Sequence, residues 1–143
     1  MIKYIHRVAR LGMLLSVFVL GLACERANML EEDGNAEATL STIQARIFDT
    51  NCALSGCHAG ANPRLDLSLE DGLSFSNIVG VESVERSDLL RVDPGNPDAS
   101  YLLKKVRGDA DIVSARMPLG RDALSDADID LIAQWIDDGA LDN

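Results

Sequence analysis

The apolar positions of this chain fall into one long run followed by several short stripes. Leu11 to Ala23 is apolar except for Gly12, Ser16 and Gly21, and Lys3, Arg7 and Arg10 stand ahead of it. Its thirteen residues would reach about 20 Å at helical rise, short of the ~30 Å hydrocarbon core of a bilayer. A basic head and a short apolar run are the layout of an export signal rather than of a permanent span. Glu25 to Ala38 is then polar and acidic, centred on Glu31-Glu32-Asp33-Gly34-Asn35, and reads as a flexible tether.

Beyond the tether the stripes have helical spacing. Ser41-Thr42-Ile43-Gln44 has the form of a capping box, and Ile43 and Ile47 lie four apart with Phe48 beside them. Leu65, Leu67 and Leu69 alternate over too short a span to define a strand. Ser68-Leu69-Glu70-Asp71 is a second cap, for a short helix reaching about Val79, weakened by Gly72, three serines and Asn77. Phe75, Ile78 and Val79 are its pocket-facing candidates. Val81 to Val92 reads as loop, with one extended piece at Leu89 to Val92. Asn96 and Pro97 form an N-cap and first helical residue for a helix over 97–106 that turns Leu102, Leu103 and Val106 inward. Lys104, Lys105 and Arg107 then decorate a solvated helix end, where the dipole favours cations. Ser125-Asp126-Ala127-Asp128 opens the last helix, with Ile129, Ile132 and Ile136 on its face, Trp135 beside them and Gly139 as the C-terminal stop. The pattern predicts an all-α domain with long connecting loops. The chain divides into a signal segment at 1–23, a tether at 24–38 and one domain at 39–143.

Charge narrows the partners. The 143-residue chain carries a net charge of −10, and loss of residues 1–23, which hold three basic residues and no acidic one, moves it to −13. A body this acidic argues against nucleic acid, which selects basic surfaces. It permits a basic protein partner, and it equally serves plain solubility.

The three cysteines carry the candidate chemistry. Leu20-Gly21-Leu22-Ala23-Cys24 resembles the cleavage box of bacterial lipoproteins, in which Cys24 would take lipid and anchor the exported chain to a membrane. Ordinary signal cleavage nearby is the other reading. Export also implies an oxidising compartment, where loose thiols are uncommon. Cys52 and Cys57 lie in Asn51-Cys52-Ala53-Leu54-Ser55-Gly56-Cys57-His58. The order Cys…Cys-His is that of covalent haem attachment, here spaced C-x-x-x-x-C-H rather than C-x-x-C-H. Each thiol would add across one haem vinyl group, and His58 would sit under the iron as proximal ligand. The two extra residues must be looped out, and Gly56 accepts the positive φ such a bulge needs. The second axial ligand must come from elsewhere. His6 lies in the signal and Met29 in the tether, which leaves Met117, within Ala115-Arg116-Met117-Pro118-Leu119-Gly120. A residue before proline is restricted to extended backbone, so the thioether could be presented at a fixed height. Gap-filling in the core is methionine's commoner use.

Taken in order, these parts resemble a class I c-type cytochrome over roughly residues 41–140, and most closely the small cytochrome c-like domains of exported bacterial proteins. The resemblance rests on a helix entering Cys52…Cys57-His58, a methionine in a Met117-Pro118 loop, and a C-terminal helix bearing Trp135. The cysteine spacing departs from the family's usual pattern. The family implies a helical fold around one covalent haem c, with first and last helices crossing, here through Ile47 or Phe48 against Ile132 or Trp135. It implies a His58/Met117-ligated electron carrier of the periplasm or a membrane surface, not an enzyme, serving redox protein partners. Other readings of the same residues stay open. They are a cofactor-free lipoprotein interaction module with a Cys52–Cys57 disulfide, a zinc site on Cys52, Cys57 and His58, which lacks a fourth ligand, and a haem sensor or peroxidase-like enzyme with an open distal side.

Overall fold

The computed structural model describes residues 36–143. The signal segment, Cys24, Met29 and most of the tether lie outside the described residues. The tether's last residues do not stand free, because Ala36 and Ala38 pack against the core. Among the described residues the regular structure is helical, with isolated bridges and no strand. No helix there is long and apolar enough to cross a membrane.

Four helical elements build the fold. Helix α1, Leu40–Ile43, continues directly into wider π-helical turns over Gln44–Cys52. Its cap is Thr39, whose hydroxyl accepts the Thr42 amide at 3.2 Å, two residues ahead of the capping box expected at Ser41. Ser41 and Leu40 are instead capped from the far end of the chain. The Ser41 amide donates to the Asn143 carbonyl at 2.8 Å and the Leu40 amide to Asn143 Oδ1 at 3.0 Å. The π winding brings residues five apart towards one line, so Ile43, Ile47, Phe48 and Cys52 share a face. Gln44 supports that winding. Its buried amide donates to Asp49 Oδ1 at 2.6 Å and to the Leu69 carbonyl at 2.9 Å, and it accepts the Ser74 hydroxyl at 2.7 Å.

Helix α2 is Ser74–Ile78, later and shorter than the cap at Ser68 predicts. Ser68 closes a turn there instead, accepting the Glu70 amide. Helix α3 is Tyr101–Arg107. A separate 3₁₀ turn at Pro97–Ala99 precedes it, so the single helix expected from Pro97 is broken at Ser100. The Ser100 hydroxyl accepts the Asp93 amide at 2.9 Å and donates to the Asn96 carbonyl at 3.0 Å, which holds the break. Helix α4 is Asp126–Asp137, capped by Ser125 as its sequence predicts.

Helix α4 packs on both α1 and α3. Ile43, Ile47, Phe48, Ile132, Trp135 and Ile136 are almost completely buried and share one core with Leu103 and Val106. The Trp135 indole N–H donates to the Leu141 carbonyl at 2.8 Å, satisfying the only polar atom of that ring. Arg46 and Asp128 pair at 2.6 Å across the α1–α4 junction. Val79 and Val92, and Glu82 and Leu90, meet as isolated bridges, so the extended piece expected at 89–92 exists without growing into a sheet.

Candidate functional site

A cavity of about 270 Å³ opens between the end of α1, the inner face of α3 and the loops on either side. That is near the lower end of the ~300–1,000 Å³ usual for ligand pockets. Cys52, Cys57, His58 and Met117 all line it. Ile47, Phe48, Leu67, Leu69, Val106 and Ile132 supply apolar wall. Leu65, Val84 and Leu119 are exposed large apolar residues on the same lining, which places them at the mouth.

The cysteine loop explains how the widened spacing is absorbed. The Ala53 amide donates back to the Phe48 carbonyl at 2.7 Å, the last π-type bond of the helix. The Cys57 amide donates to the Leu54 carbonyl at 2.9 Å, closing a four-residue turn with Gly56 at φ +81° as its third residue. The His58 amide then donates to the Cys52 carbonyl at 3.2 Å. The extra residues are spent in the turn, and Cys52 and His58 are drawn together at its base. Both cysteines are free thiols. Burial pushes the Cys52 thiol up to about 12 from an ordinary 9.0, with Cys57 adding to the rise and Arg121 opposing it.

His58 is oriented by its neighbour strand of loop. Its Nδ1 lies 3.1 Å from the Leu67 carbonyl. A carbonyl only accepts, so Nδ1 carries the proton and Nε2 keeps a free lone pair. Burial lowers the affinity of the ring for a second proton, against the opposing effect of hydrogen bonds to the Leu67 and Arg64 backbone. A histidine whose other nitrogen is bound to a carbonyl is the usual posture of a metal ligand. Met117 is half-buried, its amide donating to the Lys105 carbonyl at 2.9 Å. The Met117–Pro118 peptide is cis. Among the described residues no group of three or more His, Cys, Asp or Glu is arranged to hold a bare metal ion.

Several site residues were not singled out by the sequence. Arg91, 8% exposed, reaches the cavity and donates to the carbonyls of Leu65 at 2.9 Å and Asn77 at 2.8 Å. Lys105 is the sharpest difference from expectation. It is buried rather than solvated, with Nζ 2.9 Å from Glu85 Oε2 and 2.8 Å from the Val113 carbonyl. Tyr101 Oη donates to Glu85 at 3.0 Å and accepts the Val113 amide at 2.9 Å. Arg107 is exposed and paired with Asp98 at 2.9 Å, while Lys104 is only partly exposed and paired with Asp111 at 3.2 Å. Phe75, Ile78 and Val79, expected at the pocket, are not among its lining residues. Ile78 sits wholly in the core. The charged lining comprises Arg64, Arg91, Lys105 and Arg121 against Glu85, a cationic patch on an acidic chain.

Comparison with protein-family profiles, with curated proteins and with solved structures gives no match.

Proposed function

We propose that this chain is a monohaem c-type cytochrome with a class I fold, a carrier of single electrons and not an enzyme. The observation that carries the reading is the convergence of Cys52, Cys57, His58 and Met117 on one apolar cavity. Cys52, Cys57 and His58 are neighbours in the chain, but nothing in the sequence separation requires Met117 to join them. The donor set suits the group. Two free thiols supply thioether partners, the His58 imidazole offers Nε2, Met117 supplies a thioether to the same cavity, and the walls are largely apolar.

In this reading the Cys52 and Cys57 sulfurs would each form one S–C bond to a vinyl carbon, with the thiol proton going to the neighbouring carbon, and His58 and Met117 would hold the iron. When bound, haem iron supplies a one-electron Fe(III)/Fe(II) couple, and Met/His ligation raises its potential. The chain's own contribution is to hold both ligands, exclude water with Ile47, Phe48, Leu69 and Ile132, and keep His58 in the Nδ1-protonated form. The partners are redox proteins, unidentified, and not nucleic acid. The chain is exported and works on the periplasmic side of a bacterial membrane, held there by lipid on Cys24.

A pyridine haemochrome spectrum of the full chain, exported alongside haem-attachment machinery, tests this. One haem per chain with both vinyl groups saturated is expected. Colourless protein with a Cys52–Cys57 disulfide would overturn it in favour of a cofactor-free lipoprotein module.

A further inference from the structure

Arg91 is a buried cation with no carboxylate at ion-pair distance among the described residues; its guanidinium bonds to carbonyl oxygens. Nη2 donates to Leu65 at 2.9 Å, and Nη1 donates to Asn77 at 2.8 Å and, at 3.4 Å, to Asp66. Burying a guanidinium is costly unless it is hydrogen-bonded, so the arrangement requires a gain elsewhere. Two of the three carbonyls belong to residues in the left-handed region, Leu65 at φ 57° and Asp66 at φ 49°. Neither is glycine, and such backbone is strained and persists only when its surroundings hold it. The residue after them is Leu67, whose carbonyl accepts the His58 Nδ1–H at 3.1 Å.

Arg91 is itself fixed. Its amide donates to the Val81 carbonyl at 2.7 Å and its carbonyl accepts the Leu102 amide at 2.9 Å. The guanidinium therefore projects from a loop tied by its backbone to Val81 and to Leu102 of α3, and grips the strap 63–69 together with Asn77 of α2. The Asn77 side chain adds a weak bond of its own, accepting the Ser68 amide at 3.4 Å.

We infer that Arg91 is a positioning residue for His58: by clamping the strained strap at Leu65 and Asp66, it sets the Leu67 carbonyl that fixes the tautomer and orientation of the imidazole. Its bearing on electron transfer rests on the haem reading above, but the clamp itself does not need haem to be tested.

The test uses the full chain labelled with ¹⁵N, with imidazole spectra recorded before haem attachment and, where haem attaches, in the reduced protein. The wild type gives a protected Nδ1–H and an unprotonated Nε2. Arg91→Lys keeps the charge but cannot reach three carbonyls. It accelerates exchange of the Nδ1–H on the order of tenfold, the equivalent of one hydrogen bond, measured relative to the Ile132 amide, and it populates the other tautomer. A merely structural effect moves both protons alike. In haem-bearing protein the same variant raises the reduction potential, because an imidazole without its carbonyl partner is a weaker donor. Leu65→Gly removes left-handed strain, so Arg91→Lys/Leu65→Gly regains protection. An Nδ1–H in Arg91→Lys that exchanges as in the wild type overturns the inference, as does a double variant with no recovery. Failure of haem to attach leaves the first readout intact and counts only against the proposed function.

Discussion

His58 and Met117 face the same cavity from walls of very different construction. Three polar groups of His58 are engaged: its amide by the Cys52 carbonyl, its carbonyl by the Leu69 amide at 2.8 Å, and its Nδ1 by the Leu67 carbonyl. Met117 is held by a single backbone bond to Lys105, in a loop whose anchors gather earlier, at Asp111 and Val113. Of the four residues after Met117 only Pro118 is buried, while Leu119, Gly120 and Arg121 are exposed. The difference teaches where this site is rigid and where it can yield. Opening of the Met117 loop costs few bonds, and local opening free energies follow such counts. Under the proposed function, the histidine side is permanent and the methionine side is where a foreign ligand would enter.

The largest expected contrast comes from removing each ligand in turn. Under the proposed function, His58→Ala is expected to abolish the low-spin haem spectrum of the exported protein. Met117→Ala retains covalently attached haem, lowers the reduction potential and lets small ligands such as carbon monoxide reach the iron. Redox titration of both variants decides the matter, and an unchanged potential in Met117→Ala removes that residue from its role.

The histidine wall also carries a pH signature before haem is attached. Cys52 has its folded pKa raised to about 12 from 9.0, so the fold favours the protonated thiol. That contribution is fully present below pH 9 and is lost as pH rises towards about 12, because the unfolded chain ionises first. Urea unfolding of the haem-free chain across this window is expected to show falling stability in the wild type and a flatter profile in Cys52→Ala.

The methionine wall depends on Gly108, which ends α3 at φ +79° and lies under Arg116, where an added Cβ would come within 2.8 Å of the Arg116 side chain. Gly108→Ala is expected to cost about 1–2 kcal/mol from left-handed strain and to weaken the methionine–iron absorption band at the same time. Thr39→Ala, at the remote end of α1, is expected to cost about 1 kcal/mol through its lost cap and to leave that band alone. Equal spectral effects in the two variants would erase the distinction between the walls.

Legibility in the sequence followed the range of the interaction. The caps at Ser125 and Gly139 and the apolar faces of the first and last helices were readable, since each depends on residues within a turn or two. The break at Ser100 was not, because its hydroxyl bonds to backbone groups of Asp93 and Asn96, which carry no side-chain identity. Lys105 read as one cation among three at a helix end. Its burial required Glu85 and Val113 to arrive from other loops. Arg91 gave no signal at all, since its partners are backbone carbonyls, which carry no side-chain identity.

The chain's covalent order thus determined which donors are available: two thiols and an imidazole within seven residues, a distant thioether before proline, and enough apolar positions to bury them. Only the tertiary structure decided that these groups meet in one cavity, that the spare residues between the cysteines fold into a turn, and that a buried arginine braces the strap behind the histidine. Side-chain chemistry and local periodicity are written residue by residue. A hydrogen bond to the carbonyl of a loop closed from elsewhere exists only once the loop has been closed.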